Sequence, residues 1–331
     1  LCIPTSIISR SNAKNLQQAT GILYQIAKVA TIYNVGEIVI MDSLQEVEPI
    51  VNLDDALDKN AKKKIKFDDI DSNAKKEAEL KNQVSEDAML IATILQYFVT
   101  PPYLTKTLFK SKFFKNFQYA KTFPKLTTLP FMSDEVESKY REGLTVTMGK
   151  SSKPLTKNKK SQPLKNTKYV NIGYDKYLEL SGQQVPTNVR VTVDTETKKV
   201  VSPLEAYQDQ VGAKSSYGYH VRIAKTFTSI FTGSSYPDGY TQSIYVNSGD
   251  YFHHHKDVEL KEIGSIDTSK ESNLLLVIGK WNDVEYSFSQ DAKNLEGVSN
   301  AKEFFDGQVK IPSGTKVEDG SMIALTKLVN I

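Results

Sequence analysis

Residues 25–43 read QIAKVATIYNVGEIVIMDS, and the change of apolar period inside this stretch decides the fold class. Ile26, Ala27 and Ala30 continue a pattern begun by Leu16, Ala19, Ile22 and Leu23, with the three- and four-residue spacing of one helix face. EIVIM at residues 37–41 is instead an unbroken β-branched apolar run, the signature of a strand buried on both faces. Upstream, residues 2–8 are short and apolar and read as a strand, followed by a polar stretch over 9–15. Strand, helix and buried strand in that order form a β-α-β unit and imply a parallel sheet.

Downstream, residues 46–85 lose apolar density and become rich in Asp and Lys, which reads as a long, partly disordered insertion. Ala88, Ile91, Ala92, Ile94, Leu95 and Phe98 form a second amphipathic helix, stopped by Pro101-Pro102. From residue 142 to 221 the character changes to short alternating runs at 144–148, 169–172, 189–193, 199–202 and 217–221, separated by turn residues. This all-β patterning suggests a small barrel of the oligonucleotide-binding (OB) type. A helical stretch at 223–231, strands at 241–246 and 274–278, a short run at 308–311 and a helix at 321–329 return the chain to α/β. The expected organisation is an α/β domain in two parts, 1–141 and 222–331, interrupted by an OB-like insert over 142–221.

The chain has 331 residues with 42 Lys+Arg against 39 Asp+Glu, a net charge of +3 that hides a strong asymmetry. Residues 42–90 hold 13 acidic and 8 basic residues, whereas 100–170 hold 15 basic and 4 acidic. In the basic segment Lys112, Lys115 and Lys121 alternate with Phe109, Phe113, Phe114, Phe117, Tyr119 and Phe123. Two readings are open: the lysines contact phosphates while the rings stack bases, or the rings face the core beneath a solvated lysine face. Lys157, Lys159 and Lys160, in the lysine-rich stretch 150–168, read as a mobile basic loop that favours polyanions. An RNA or DNA backbone is therefore an expected partner.

A single cysteine, Cys2, excludes an internal disulfide and any multi-cysteine zinc site, and makes a reducing compartment the expectation. No window approaches 18 apolar residues, so no membrane-spanning helix is expected. Leu1 stands mid-strand by its pattern, so the native N-terminus and any targeting peptide are expected to lie upstream. The phosphate-binding G-x-x-x-x-G-K-[ST] loop and the dinucleotide G-x-G-x-x-G are absent; Pro4, Thr5 and Ser6 follow the first strand instead. There is no G-x-S-x-G elbow, and His220 and His253 to His255 lack zincin spacing, so no metal is expected.

Seven segments carry a family resemblance in order along the chain: IPTSI (3–7), residues 25–43, LIATILQYFVTPPYLTKTLF (90–109), YREGLTV (140–146), YGYHVRIA (217–224), PDGYTQSI (237–244) and IPSGTKVEDGSMIAL (311–325). Together they resemble the eukaryotic and archaeal family of SPOUT-class RNA methyltransferases with an OB-like insert. The resemblance implies an α/β knot in which the C-terminal segment threads a loop to form a trefoil. It also implies S-adenosyl-L-methionine bound in the knot, a homodimer, an RNA acceptor of ribosomal or pre-ribosomal origin, and nuclear, most specifically nucleolar, residence. Two alternatives stand beside methyl transfer to RNA: a non-catalytic RNA-binding ribosome-assembly factor that keeps the knot, and a protein methyltransferase.

What the resemblance implies can be placed residue by residue. Three backbone loops would hold the cofactor: Ser248-Gly249; Ile278-Gly279-Lys280; and 308–315, containing Gln308, Val309, Lys310, Ile311, Pro312, Gly314 and Thr315. Gly279 and Gly314 would permit close backbone approach, Pro312 would stiffen the turn, and free backbone groups at Val309, Lys310 and Ile311 would read the adenine edge. Ile278, Ile311, Ile323 and Ala324 would form an apolar bed. Arg222 and Asp238 are the catalytic candidates, the first as a phosphate clamp and the second as a holder of a ribose hydroxyl or a proton acceptor, with a structural ion pair and an Asp-Gly turn as their alternatives. Arg141, with Glu142 beside it, is a further RNA-contact candidate at the junction into the insert. Relatives carry a glycine pair where Gly279 is here followed by Lys280 and Trp281.

Overall fold

The computed structural model describes residues 1–42, 84–132, 138–147, 166–207, 218–251, 260–267, 269, 272–295 and 297–331. The expected insertion at 46–85, apart from Val84 and Ser85, lies outside the described residues, as do Lys157, Lys159, Lys160 and His253 to His255.

β1 (Cys2–Pro4) passes into a 3-10 turn at Thr5–Ile8, so the strand expected over 2–8 is cut short. Pro4 has no N–H with which to extend a ladder, and the chain folds back as the Ser9 N–H donates to the Ser6 carbonyl. α1 (Leu16–Ile32) begins at Asn15, whose side chain accepts from the Gln18 N–H at 2.9 Å. β2 (Glu37–Met41) is buried at all five positions. α2 (Glu86–Phe98) is capped by Ser85, and Asp42 at the end of β2 accepts from both the N–H and the hydroxyl of Ser85. The first turn of α2 is thereby fastened to the carboxyl end of β2. After α3 (Thr105–Leu108) come 3-10 turns at Ser111–Phe117, Ala120–Thr122 and Pro130–Met132.

Seven short strands follow: β3 (Tyr140–Thr145), β4 (Asn166–Thr167), β5 (Tyr169–Asn171), β6 (Leu178–Glu179), β7 (Val185–Pro186), β8 (Arg190–Asp194) and β9 (Lys199–Val201), then α4 (Pro203–Tyr207). Five of them make an antiparallel sheet in the order β6-β5-β3-β8-β9, and β4 pairs with β7. Val170, Ile172, Leu180, Val191 and Val193 give this unit a small core of its own.

The chain then supplies β10 (His220–Ala224), α5 (Phe227–Thr232), β11 (Gln242–Asn247), β12 (Leu274–Gly279), α6 (Trp281–Gln290), β13 (Gly307–Gln308) and α7 (Val317–Val329). These complete a six-stranded parallel sheet in the order β10-β2-β1-β12-β11-β13. Alternate residues serve opposite faces: Ile3, Ile38, Ile40, Val246, Leu276 and Ile278 pack with α1, α2 and α7. Cys2, Val39, Met41, Tyr245, Leu275 and Val277 pack with Phe227, Trp281 and Val284 of α5 and α6. Both faces are covered, as an all-parallel sheet requires.

Three expectations are corrected here. The run at 217–221, grouped by its alternation with the strands of the insert, enters β10, which pairs over its whole length with β2 from His220↔Glu37 to Ala224↔Met41. Alternation marks a strand but not its partner, and the outer edge of β2 has backbone groups that need one. The helix expected at 223–231 begins only at Phe227, where the Thr226 side chain and Ser229 form a reciprocal cap. At the other end of the chain α7 starts at Val317, four residues before the expected 321, with Glu318 and Asp319 in its first turn.

Candidate active site

Parallel strands bring their carboxyl ends to one edge of a sheet, the usual place for a ligand in open α/β folds. At that edge the loop after β11, the end of β12 and the segment before α7 are bonded to one another. The Ser248 N–H donates to the Gly279 carbonyl at 3.0 Å and the Gly249 N–H to the Thr315 carbonyl at 2.7 Å. The Ser248 hydroxyl also donates to Thr315, and the buried Tyr245 hydroxyl reaches the Gly279 carbonyl from below at 2.9 Å. Two glycines make the convergence possible. A Cβ at Gly279 would lie 2.9 Å from Pro4, so β1 closes on β12 only because that position is bare. A Cβ at Gly320 in α7 would meet Ile311 at 2.8 Å, Ile278 at 3.1 Å and the Ser248 hydroxyl at 3.1 Å.

Beside this junction lies a narrow cleft, open to solvent, lined by Pro4, Ser6, Asn12, Ser248, Gly249, Lys280, Asp283 and Lys316 to Glu318, together with Ile7. Ser6 donates its hydroxyl to Asp283 at 2.7 Å, tying the turn after β1 to the start of α6. Asp283 is buried, and that burial lifts its carboxyl above the ordinary range against the pull of Ser6 and Lys280. Burial raises Glu318 in the same way. Two carboxyls and the exposed Lys280 and Lys316 around one cleft suit a ligand carrying both signs of charge. Ser6, Asp283 and Gly320 escaped sequence reasoning, because an isolated Ser, Asp or Gly carries no spacing signal.

The remaining residues expected around the cofactor divide. Val309 donates its N–H to the Tyr245 carbonyl, which removes it from the set of free groups. Gln308 spends its backbone on Lys261 and Ile263 and its side-chain amide on Leu260. No acceptor among the described residues takes the N–H of Lys310 or Ile311. Gly314 has φ of 77° beneath the Tyr251 ring, and Thr315 closes the turn by donating to the Pro312 carbonyl. Ile278, Ile311 and Ala324 share one core cluster, whereas Ile323 is half-buried and stands outside it.

Arg222 and Asp238 lie elsewhere. Arg222 donates to Glu37 at 3.1 Å, to the carbonyls of Ser229 and Ile230 at 2.6 and 2.9 Å, and to the Tyr240 hydroxyl at 3.1 Å. Glu37 opens β2 and Tyr240 precedes β11, so this cluster stands at the amino ends of the strands, opposite the cleft. Asp238 is exposed in a turn closed by the Gly239 N–H on the Tyr236 carbonyl at 3.0 Å. Neither residue reaches the cleft; each has the structural role that its residue type also allowed, an ion pair and an Asp-Gly turn.

The aromatic rings of the basic segment pack into the core. Phe117 is fully buried, and Phe109, Phe113, Phe114 and Phe123 pack against the same core, with Tyr97 stacked on Phe117 at 4.6 Å. Lys112, Lys115 and Lys121 are exposed. Glu142 is fully buried, paired with Arg190 at 3.0 Å and bonded by Thr192 and Tyr207, so its role is internal to the antiparallel unit. Arg141 is half-exposed between two tyrosine rings. Among the described residues no group of three or more His, Cys, Asp or Glu could hold a metal ion, and no helix is long and apolar enough to cross a membrane.

A family profile described as "Putative RNA methyltransferase" matches residues 1–328. A putative methyltransferase of Saccharomyces cerevisiae is 38% identical over 335 residues, covering 100% of this chain and 93% of the relative. A second from the same yeast is 35% identical over 345 residues, covering 98% and 86%. The 28S rRNA (uridine-N(3))-methyltransferase of Drosophila melanogaster is 24% identical over 342 residues, covering 99% of this chain and 61% of that protein.

Proposed function

The chain belongs to the RNA methyltransferase family whose profile spans it, and from that premise we propose that it transfers the methyl group of S-adenosyl-L-methionine to ribosomal RNA. The observation that carries this reading is the bonded convergence of Ser248, Gly249, Gly279 and Thr315 at the carboxyl edge of the parallel sheet, roofed by α7 at Gly320. The resemblance read from the sequence makes this junction a trefoil knot and the antiparallel unit β3 to β9 an OB-like insert. The tight seating of the segment before α7 on the loop after β11 supports the first assignment.

The residues fit the cofactor. The N–H groups of Lys310 and Ile311 remain to read an adenine edge. Asp283 and Glu318 would suit its cationic centre, and Lys280 and Lys316 its carboxylate. The bound cofactor supplies an already activated methyl group, so the protein's task is alignment more than proton transfer. Ile278 and Ile311, brought together over Gly320, exclude water from that edge. The names of the relatives support a uridine N3 of large-subunit RNA as acceptor, and such an acceptor is in keeping with the nucleolar residence that the resemblance implies. Homodimerisation follows from the resemblance, and exposed Ile32 on α1 and Val329 on α7 offer apolar surface for a second copy.

Calorimetric titration with S-adenosylmethionine and S-adenosylhomocysteine tests the site. Micromolar or tighter binding is expected, and Gly320→Leu should abolish it by prising α7 from Ile278 and Ser248. Labelled methyl should then enter ribosomal RNA and appear as 3-methyluridine on nucleoside analysis. Label entering ribosomal protein instead would overturn the acceptor, and absence of binding would overturn the cofactor site.

A further inference from the structure

We infer that the joint between the antiparallel sheet and the segment after α2 is a second RNA subsite, where Arg141 holds a phosphodiester and Tyr174 stacks an unpaired base. The inference rests on the RNA methyltransferase reading and adds a hold on single-stranded RNA away from the cofactor edge. α2 starts at that edge, fastened to Asp42, and its 13 residues carry the chain roughly 20 Å before the joint begins.

The guanidinium carbon of Arg141 lies 4.4 Å from the ring centre of Tyr103 and 4.4 Å from that of Tyr174. Three restraints hold this sandwich. The Tyr103 hydroxyl donates to the Glu142 carbonyl at 2.9 Å, and Arg141 donates through Nε to the Ile172 carbonyl at 2.7 Å. Gly173, with φ of 83°, passes so near that a Cβ there would lie 2.4 Å from the Tyr103 ring. The guanidinium plane is therefore fixed, while its two terminal nitrogens have no acceptor among the described residues. A fixed guanidinium edge with free donors matches a phosphate oxygen pair.

Tyr174 is 60% exposed, with its ring resting on Arg141 and otherwise open. An open aromatic beside a phosphate-binding edge is the pairing by which single strands are held without sequence preference. Duplex RNA hides its base faces and cannot use it. Next to Arg141 an open cleft of about 310 Å³ is lined by Tyr140, Phe131 and Lys125. Lys121 and Lys125, both exposed, extend positive charge from this cleft back along the basic segment.

The test is fluorescence anisotropy of the full chain with a labelled single-stranded oligouridylate and with duplex RNA of equal length. Tyr174→Ala should weaken single-strand binding about five- to hundredfold, the range for removing one ring from beneath a stacked base, and leave its salt slope unchanged. Tyr174→Phe should bind like the unsubstituted protein. Arg141→Lys, which keeps the charge but loses the fork, should weaken single-strand binding more than duplex binding. Should Arg141→Lys fail to fold, the two Tyr174 variants decide alone, because that side chain is exposed. If Tyr174→Ala binds the single strand as well as the parent does, the subsite is refuted and the RNA reading survives. If the parent binds neither RNA, both readings fail together.

Discussion

Glu37 opens β2 at 4% exposure and takes bonds from Arg222, Tyr240 and Ser235. Burial alone would raise its carboxyl, but those donors outweigh burial and hold it below the ordinary range. Removing one partner of such a pair strands the other, so Arg222→Leu should cost about 3–5 kcal/mol in denaturant unfolding. Arg222→Lys should recover little of that, since one ammonium cannot serve a carboxylate and two carbonyls in diverging directions. The depressed carboxyl contributes in full above the unfolded value near 4.5 and loses its contribution as pH falls through the lower folded value. The stabilities of Arg222→Leu and the parent should therefore converge in strongly acid solution. A gap independent of pH would assign the loss to packing rather than to the ion pair. Arg222 was legible as a residue of consequence, but its partner 185 positions away was not.

The segment from α3 through the turn at Ala120–Thr122 shows what an element decides that spacing cannot. Lysine and phenylalanine alternate irregularly there, and each ring was free on paper to face solvent or core. Tyr97, Phe98 and Tyr24 supply ring partners for Phe109, Phe117 and Phe123, and burying so much aromatic surface decides the orientation. Lys112, Lys115 and Lys121 are left as a cationic face. Their joint replacement by Glu should leave the melting temperature nearly unchanged, as surface substitutions do. It should weaken RNA binding and reduce the salt slope by about 0.7 for each phosphate that is no longer neutralised. An unchanged slope in the anisotropy titration would remove this face from the RNA path.

At the scale of the whole molecule, the proposal of a homodimer predicts twice the chain mass in light scattering at micromolar concentration, and a clean monomer would refute it. The monomer's architecture was partly legible in sequence. Residues 16–30 and 37–41 determine a helix and a doubly buried strand by their own apolar periods, and with residues 2–4 they determine a parallel α/β sheet. The family followed from motifs that keep their order along the chain. Which strand lies beside which did not follow. β10 joins β2 across more than 170 intervening residues, and Gly320 seats α7 on loops contributed by β11 and β12. A side chain's local pattern reports only how much of it must leave water, because burial acts on each residue separately. Its partners are chosen by the distant surfaces that fold against it, and so the cleft with Ser6 and Asp283, the sealed Arg222 pair and the tyrosine-held Arg141 were decided by the tertiary structure alone.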